Sequence, residues 1–367
     1  MTRARIAGEA GLEMAIRELP LPEFYRPEHA SLYAYRPDPA TLLAEAMRLR
    51  RAHGLAPADP GGPQVRLLVI DAQRDFCFPE GSLYVGGRSG RGALEDNDRL
   101  ARFIYRHLHR ISEITCTLDT HFPFQIFSPA FWRDRRGEPL APHREVRAAE
   151  VRVGEVVPNP DVAAWLAGGD REWLRRQAEF YCESLEKSGK YTLYLWPPHC
   201  LLGSDGHALA GVIQEAWLFH AYARGARNGI EIKGGHPLTE NYSVLSPEVL
   251  QRFDGTPLAT RNEALIDDLL SADALIVAGQ AASHCVRSSV DDLLEAIRSR
   301  DPGLARRVYV VRDAMSAVAV PDPDRPSAFL FDFTPQAEEA FGRWRDAGMH
   351  LVDTETPLSE WPGFPSA

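Results

Sequence analysis

The sequence lacks several features that would have classified it at once. Its five cysteines include no CxxC pair, so neither a zinc ribbon nor a disulfide framework is expected. No apolar run approaches the roughly 18–20 residues that span a bilayer. The opening stretch, MTRARIAGEAGLEM, carries a little positive charge with no apolar segment behind it, so no secretory leader is read there. A basic excess is missing too: 51 acidic residues against 41 Lys and Arg leave a net charge of −10, which repels nucleic acid and anionic membranes. These absences predict a cytoplasmic protein that binds neither nucleic acid nor membrane. Most of Cys77, Cys116, Cys182, Cys200 and Cys285 should be buried thiols, with one or two at most left for chemistry.

What is present is an ordinary globular composition, 44% hydrophobic and 25% charged over 367 residues, ample for a large core. Residues 1–64 read as a proline-rich extension with one helix, PATLLAEAMRLRRAHG, stopped by its glycine. From Val65 the pattern changes. VRLLVID is a short continuous apolar strand of the kind buried on both faces of a parallel sheet. A helix from about Ala93 to Ile111 and the strand EITCTLD follow. Further on, HALAGVIQEAWLFHAYARG, NEALIDDLLSA, CVRSSVDDLLEAIRSR and PQAEEAFGRWRDAG read as helices. Between and after them, GIEIKG, ALIVAG, RVYVVRDA and MHLVD read as strands. The alternation predicts an α/β fold: a parallel, Rossmann-like sheet of about six strands with helices on both faces. The main domain is placed at 65–357, with an insertion at about 122–190 holding two helical segments, PDVAAWLAGG and DREWLRRQAEFYCESLEKSG, and a tail at 358–367.

In open parallel sheets ligands bind beyond the carboxyl ends of the strands. Asp71 follows the first strand, Lys233 ends GIEIKG, and Cys285 lies where the turn after ALIVAG enters a helix. A carboxylate, a lysine and a cysteine thus reach one edge from three separate strands. The helix N-terminus at Cys285 should favour thiolate, and its N–H groups suit an oxyanion. Asp119-x-His121 and His199 in WPPHC form a second set, one carboxylate and two imidazoles, with open positions for water or substrate. Phe76, Trp196 and Tyr242 offer flat walls for a small ring. His236, beside a proline in a loop, is expected to be exposed, and His284 to point away from Cys285.

Together these segments resemble the isochorismatase-like cysteine hydrolases, and within them most closely the nicotinamidases (pyrazinamidases). VIDAQRDFC with GSLYVGG is similar to the first catalytic segment, which implies Asp71 as general base. EIKG followed by NYSVL implies Lys233 as the catalytic lysine, and VAGQAASHCVRSSVDD implies Cys285 as nucleophile. The resemblance also implies a cis Gln280–Ala281 bond, with the N–H groups of Ala281 and Cys285 as oxyanion donors. DTH and WPPHC resemble the nicotinamidase metal site, implying Asp119, His121 and His199 as ligands of a divalent ion, zinc first, with iron or manganese as alternatives. FPFQIFSPAFW supplies no further His or Glu ligand, and neither the insertion nor the extension has a counterpart in small members. The implied activity is hydrolysis of a small carboxamide to acid and ammonia through a thioester, by a homo-oligomer. Three alternatives stand beside it: the same machinery on another amide or ureido compound, a non-catalytic binding or assembly protein, and a hydrolase using zinc-bound hydroxide.

Overall fold

The computed structural model describes residues 18–189, 191–322 and 324–366; the stretch read for a leader lies outside them. Six parallel strands form the central sheet. In chain order they are β1 (Val65–Ile70), β2 (Glu113–Asp119), β3 (Gly229–Lys233), β4 (Ala274–Gly279), β5 (Val308–Val311) and β6 (His350–Val352). Their spatial order is β6-β5-β4-β1-β2-β3. The chain therefore starts in the middle, builds outward to β3, and returns to β4 on the other side of β1. The β1/β4 boundary is the switch point, where successive crossovers leave the sheet in opposite directions and open a crevice.

Alternation along the strands sends side chains to two cores. Leu67 and Val69 join Ile114, Ile276 and Tyr309 beneath the helices Gly92–His107 and Gly211–Arg224. Leu68 and Ile70 join Val277 and Val310 beneath Glu263–Leu270, Cys285–Arg300 and Thr334–Asp346. A sheet buried on both faces needs apolar residues at every position, which is why these strands read as continuous runs. Gly279 closes β4 at φ 116°, and a Cβ there would fall 2.1 Å from the Ile70 carbonyl oxygen. Only glycine lets β4 and β1 end this close together.

The extension and the tail pack into the first core. Tyr25, Leu42 and Ala46 are buried there with Trp361, which stacks on Phe103 and Tyr309. The extension is further fixed by the hydroxyls of Tyr35 and Tyr105, which both donate to buried Glu215. Helix Pro39–His53 begins on an Asp38 cap and ends at left-handed Gly54, a Ser/Asp-type start and glycine stop. The 122–190 region forms a third core around Trp132, Tyr181 and Leu185, shared with Trp196, Leu238 and Val249. Its helices are Ala148–Arg152, Pro160–Leu166 and Arg171–Ser188.

Two elements differ from expectation. Helix Gly211–Arg224 starts four residues later than HALAGVIQ suggested, because Leu209 bridges Gln73 instead. An antiparallel hairpin, Ala319–Asp322 with Arg325–Asp332, went unread, since PDPDRPSA carries loop residues through it. Among the described residues no helix is long and apolar enough to cross a membrane.

Candidate active site

Asp71 follows β1 in the left-handed region, φ 44°, a conformation that aspartate tolerates better than most residues. It is fully buried. Its N–H donates to Thr117 Oγ1 at 3.0 Å, and that hydroxyl donates to Asp71 Oδ1 at 2.5 Å. Thr117 lies two residues before Asp119 on β2, so period-two alternation puts it on the same face; that signal was present in the sequence and unused.

The Nζ of Lys233, at the end of β3, lies 2.9 Å from Asp71 Oδ2 and 2.9 Å from Asp119 Oδ1. It donates to the Asn241 carbonyl at 2.9 Å and stands 3.6 Å from Cys285 Sγ. Gly234 follows at φ 86°, where a Cβ would come within 2.7 Å of Asp119 Oδ1 and 2.9 Å of His121 Cε1. Glycine at 234 leaves the room in which lysine and carboxylate meet.

Cys285 opens helix Cys285–Arg300, and the Gln280–Ala281 peptide is cis. The loop between them is clasped by Ser316, whose carbonyl accepts from Ala282 N–H at 2.8 Å. Gln280 Nε2 donates to buried Asp96 at 2.9 Å. Among the described residues, the N–H groups of Ala281 and Cys285 have no backbone acceptor.

Burial dominates the electrostatics. It pushes the Asp71 carboxyl above its ordinary value against the pull of Lys233. It also pushes the Cys285 thiol well up, with the Asp71 carboxylate adding to the effect and Lys233 opposing it. The expectation of a resting thiolate is therefore corrected: desolvation outweighs the helix terminus, and the resting group is a thiol beside a carboxylate. Lys233 is also desolvated, yet Asp119 and Asp71 hold it well above its ordinary value and charged.

Asp119, His121 and His199 are all buried, with one ligand atom from each lying within 4.8 Å of the others. His121 Nε2 and His199 Nε2 stand 2.8 and 3.6 Å from Asp119 Oδ2. His199 Nδ1 lies 2.7 Å from the Pro197 carbonyl. A carbonyl only accepts, so this nitrogen carries a proton and Nε2 is the nitrogen turned toward Asp119, the orientation found in metal-bound histidines. Burial lowers the pKa of His121, keeping its imidazole neutral, while burial of Asp119 is overcome by His121 and Lys233, which hold it well below the ordinary range. An anionic carboxylate beside two imidazoles fits a divalent ion such as zinc. Gln73 fixes the backbone of this corner, accepting from Asp119 N–H and donating to Asp119 O, both at 2.8 Å.

A cavity joins the two groups. Its walls include Phe76, Trp196 and Tyr242 together with Cys285, His199 and Ala281. The walls also hold Glu240 and Asn241, which sequence reasoning did not single out, and His284. The His284 ring is held between Trp196, Tyr242 and Phe333. Those rings arrive from distant segments, so nothing local announced the contact. His236 is half-buried, not exposed, with Nδ1 accepting from Leu238 N–H at 3.1 Å.

No family model matches the chain. The nicotinamidase of Escherichia coli K12 is 29% identical over 141 residues, 37% of this chain and 52% of that protein. The chain thus spans about half the length of the curated relative it matches. Among solved structures, the Acinetobacter baumannii nicotinamidase/pyrazinamidase aligns with 80% of this chain and 98% of its own at 17% identity, TM-score 0.45. The yeast nicotinamidase bound to the inhibitor nicotinaldehyde aligns with 79% of this chain and 100% of its own at 17% identity, TM-score 0.46. In sequence, then, the chain is similar to a nicotinamidase over that segment.

Proposed function

We propose that this chain is a cysteine amidohydrolase that converts a small, nicotinamide-like carboxamide to its acid and ammonia through a thioester on Cys285. One observation carries the reading: the thiol, the carboxylate of Asp71 and the ammonium of Lys233 meet in a buried corner that opens on a ring-sized cavity.

In this mechanism Asp71 accepts the Cys285 proton as Sγ attacks the amide carbonyl, so charge separation is avoided until the substrate is in place. The Ala281 and Cys285 N–H groups hold the oxyanion, each such donor being worth about 3 kcal/mol. The tetrahedral intermediate collapses, Asp71 returns its proton to the departing nitrogen, and ammonia leaves. Asp71 then takes a proton from water as it attacks the thioester, which frees the acid and restores the thiol. Lys233 keeps Asp71 in line and balances its charge. Asp119, His121 and His199 would hold a divalent ion, zinc first, which when bound supplies a Lewis-acid contact for a ring nitrogen.

The walls favour an uncharged ring. Burial raises the Glu240 carboxyl well above the ordinary carboxylate range, and it lowers His284 to about 4, which leaves that ring neutral near pH 7. Among the described residues no arginine lines the cavity, which weighs against the second reading, a ureido acid that would need a cation for its carboxylate. A homo-oligomer is also proposed, supported by Ile230 and Ile232 standing exposed on edge strand β3; sedimentation would test it.

The deciding experiment measures ammonia release from nicotinamide by metal-replete protein, with Cys285→Ala alongside. Rapid release that vanishes in the variant is expected. Release that survives in Cys285→Ala would replace the thioester with metal-bound hydroxide.

A further inference from the structure

Asp96, on helix Gly92–His107, is 2% exposed and does not line the reaction cavity. Its partners nevertheless lead to one wall of it. Oδ2 accepts from Gln280 Nε2 at 2.9 Å and Oδ1 from Arg99 at 2.8 Å, while Ser316 supplies a further hydrogen bond. Arg99 also donates to the Asp313 carbonyl at 2.5 Å, which ties the same helix to the segment that holds Ser316.

Gln280 is gripped at three points. Its N–H donates to the Ile70 carbonyl at 2.7 Å, its Oε1 accepts from Ser316 N–H at 3.3 Å, and Asp96 holds its Nε2. Gly92 makes room for this clasp, since a Cβ there would fall 2.4 Å from Ser316 Oγ. The next N–H along the chain is that of Ala281, which lines the cavity and has no backbone acceptor among the described residues. Gln280 and Ala281 share one planar peptide, so fixing Gln280 fixes the direction of that N–H.

Filling space does not explain a carboxylate at position 96. Replacing a buried charge by an apolar side chain of similar volume is often neutral or stabilising. What Asp96 grips does explain it. Oxyanion donors act by being fixed before charge develops on the substrate, and hydrogen bonds behind a site are what fix it.

We propose that Asp96 is a positioning residue: through the Gln280 amide it holds the Ala281 N–H in the direction an oxyanion requires. This rests on the amidohydrolase reading of Cys285, and the test separates the two. Asp96 acts through Gln280, so its effect should be felt in the transition state and not in substrate binding.

Amide hydrolysis is compared in Asp96→Leu, which keeps the core filled, in Asp96→Asn, which keeps an acceptor for Gln280, in Gln280→Leu, and in the double variant Asp96→Leu/Gln280→Leu. In Asp96→Leu, kcat and kcat/KM should fall together by about 10²-fold, the cost of a misplaced donor. Asp96→Ala serves the same comparison if the leucine does not fold. Asp96→Asn should recover most of the loss. The double variant should be no slower than Gln280→Leu alone, because Asp96 then has nothing left to hold. An unaltered kcat in Asp96→Leu, or losses that multiply in the double variant, would overturn the positioning role and leave the amidohydrolase standing. If the wild type hydrolyses no amide, the amidohydrolase reading fails by itself, and calorimetric binding of nicotinaldehyde decides. Cys285 Sγ adds to the aldehyde carbon, the thiol proton passes to Asp71, and the former carbonyl oxygen takes the oxyanion's place. Binding about tenfold weaker in Asp96→Leu and recovered in Asp96→Asn, the worth of one hydrogen bond to a charged group, supports the role; equal binding, or none, overturns it.

Discussion

The Nζ of Lys233 and Oδ2 of Asp71 form a buried ion pair at 2.9 Å, with side chains 2% and 0% exposed. The same ammonium reaches Asp119 Oδ1 at 2.9 Å. One lysine thus joins the proposed base to the proposed metal ligand, and each is positioned by a charge that serves the other.

Removing that ammonium should be costly. Lys233→Met leaves two buried carboxylates facing each other, and breaking a buried pair typically costs about 3–5 kcal/mol. Urea unfolding should show a loss of that order, with turnover abolished. An unchanged midpoint would mean that water replaces the ammonium.

Asp71→Asn keeps the shape and removes the base. Turnover should fall by about 10⁴-fold, as when other catalytic triads lose a member. In the wild type the base must be ionised, so kcat/KM should drop as pH falls through a value above the usual carboxylate range of about 4, in keeping with the raised carboxyl. A profile flat down to pH 4 would contradict this assignment.

His199→Ala should weaken zinc binding, read by direct metal titration, with the fold retained. Zinc at a hundredfold excess over its Kd should stabilise the wild type by about 2.7 kcal/mol, and the variant should show little of that gain. Chelation should slow nicotinamide hydrolysis; unchanged turnover in stripped protein would refute the metal's part in it.

Asp96 offers a test of stability against pH. Burial, partly offset by hydrogen bonds from Ser316, Gln280 and Arg99, raises its carboxyl from 3.8 to about 6. The folded protein therefore holds this proton more tightly than the unfolded chain does. The resulting stabilisation is complete below about pH 4 and is lost as pH rises through 6. A rise of that size corresponds to about 3 kcal/mol. Unfolding free energies at pH 4.5 and 7.5 should differ less in Asp96→Asn than in the wild type, and an identical difference would show that Asp96 does not titrate in this window.

Much of this was legible along the chain. VRLLVID and ALIVAG had to be largely apolar because helices cover both faces of the sheet, and that need wrote the strands into the sequence. The residues after those strands were legible for the same reason, since a parallel sheet sends its strand ends to one edge. Asp71, Lys233, Cys285, Asp119 and His121 could be named that way, and His199 was read from WPPHC.

Other features were not available locally. His284 lines the cavity because Trp196, Tyr242 and Phe333 converge on it from three separate segments. Glu240 belongs to the wall because Tyr181 of the insertion donates to it across 59 positions of chain, at 3.3 Å. Whether Cys285 rests as thiol or thiolate was decided by desolvation, a property of everything packed around it and not of its helix. The sequence by itself determined which groups meet at the sheet edge, because periodicity and strand order are written residue by residue. Only the tertiary structure decided the ring wall and the burial of the site, because burial and long-range contacts exist only once the chain has closed on itself.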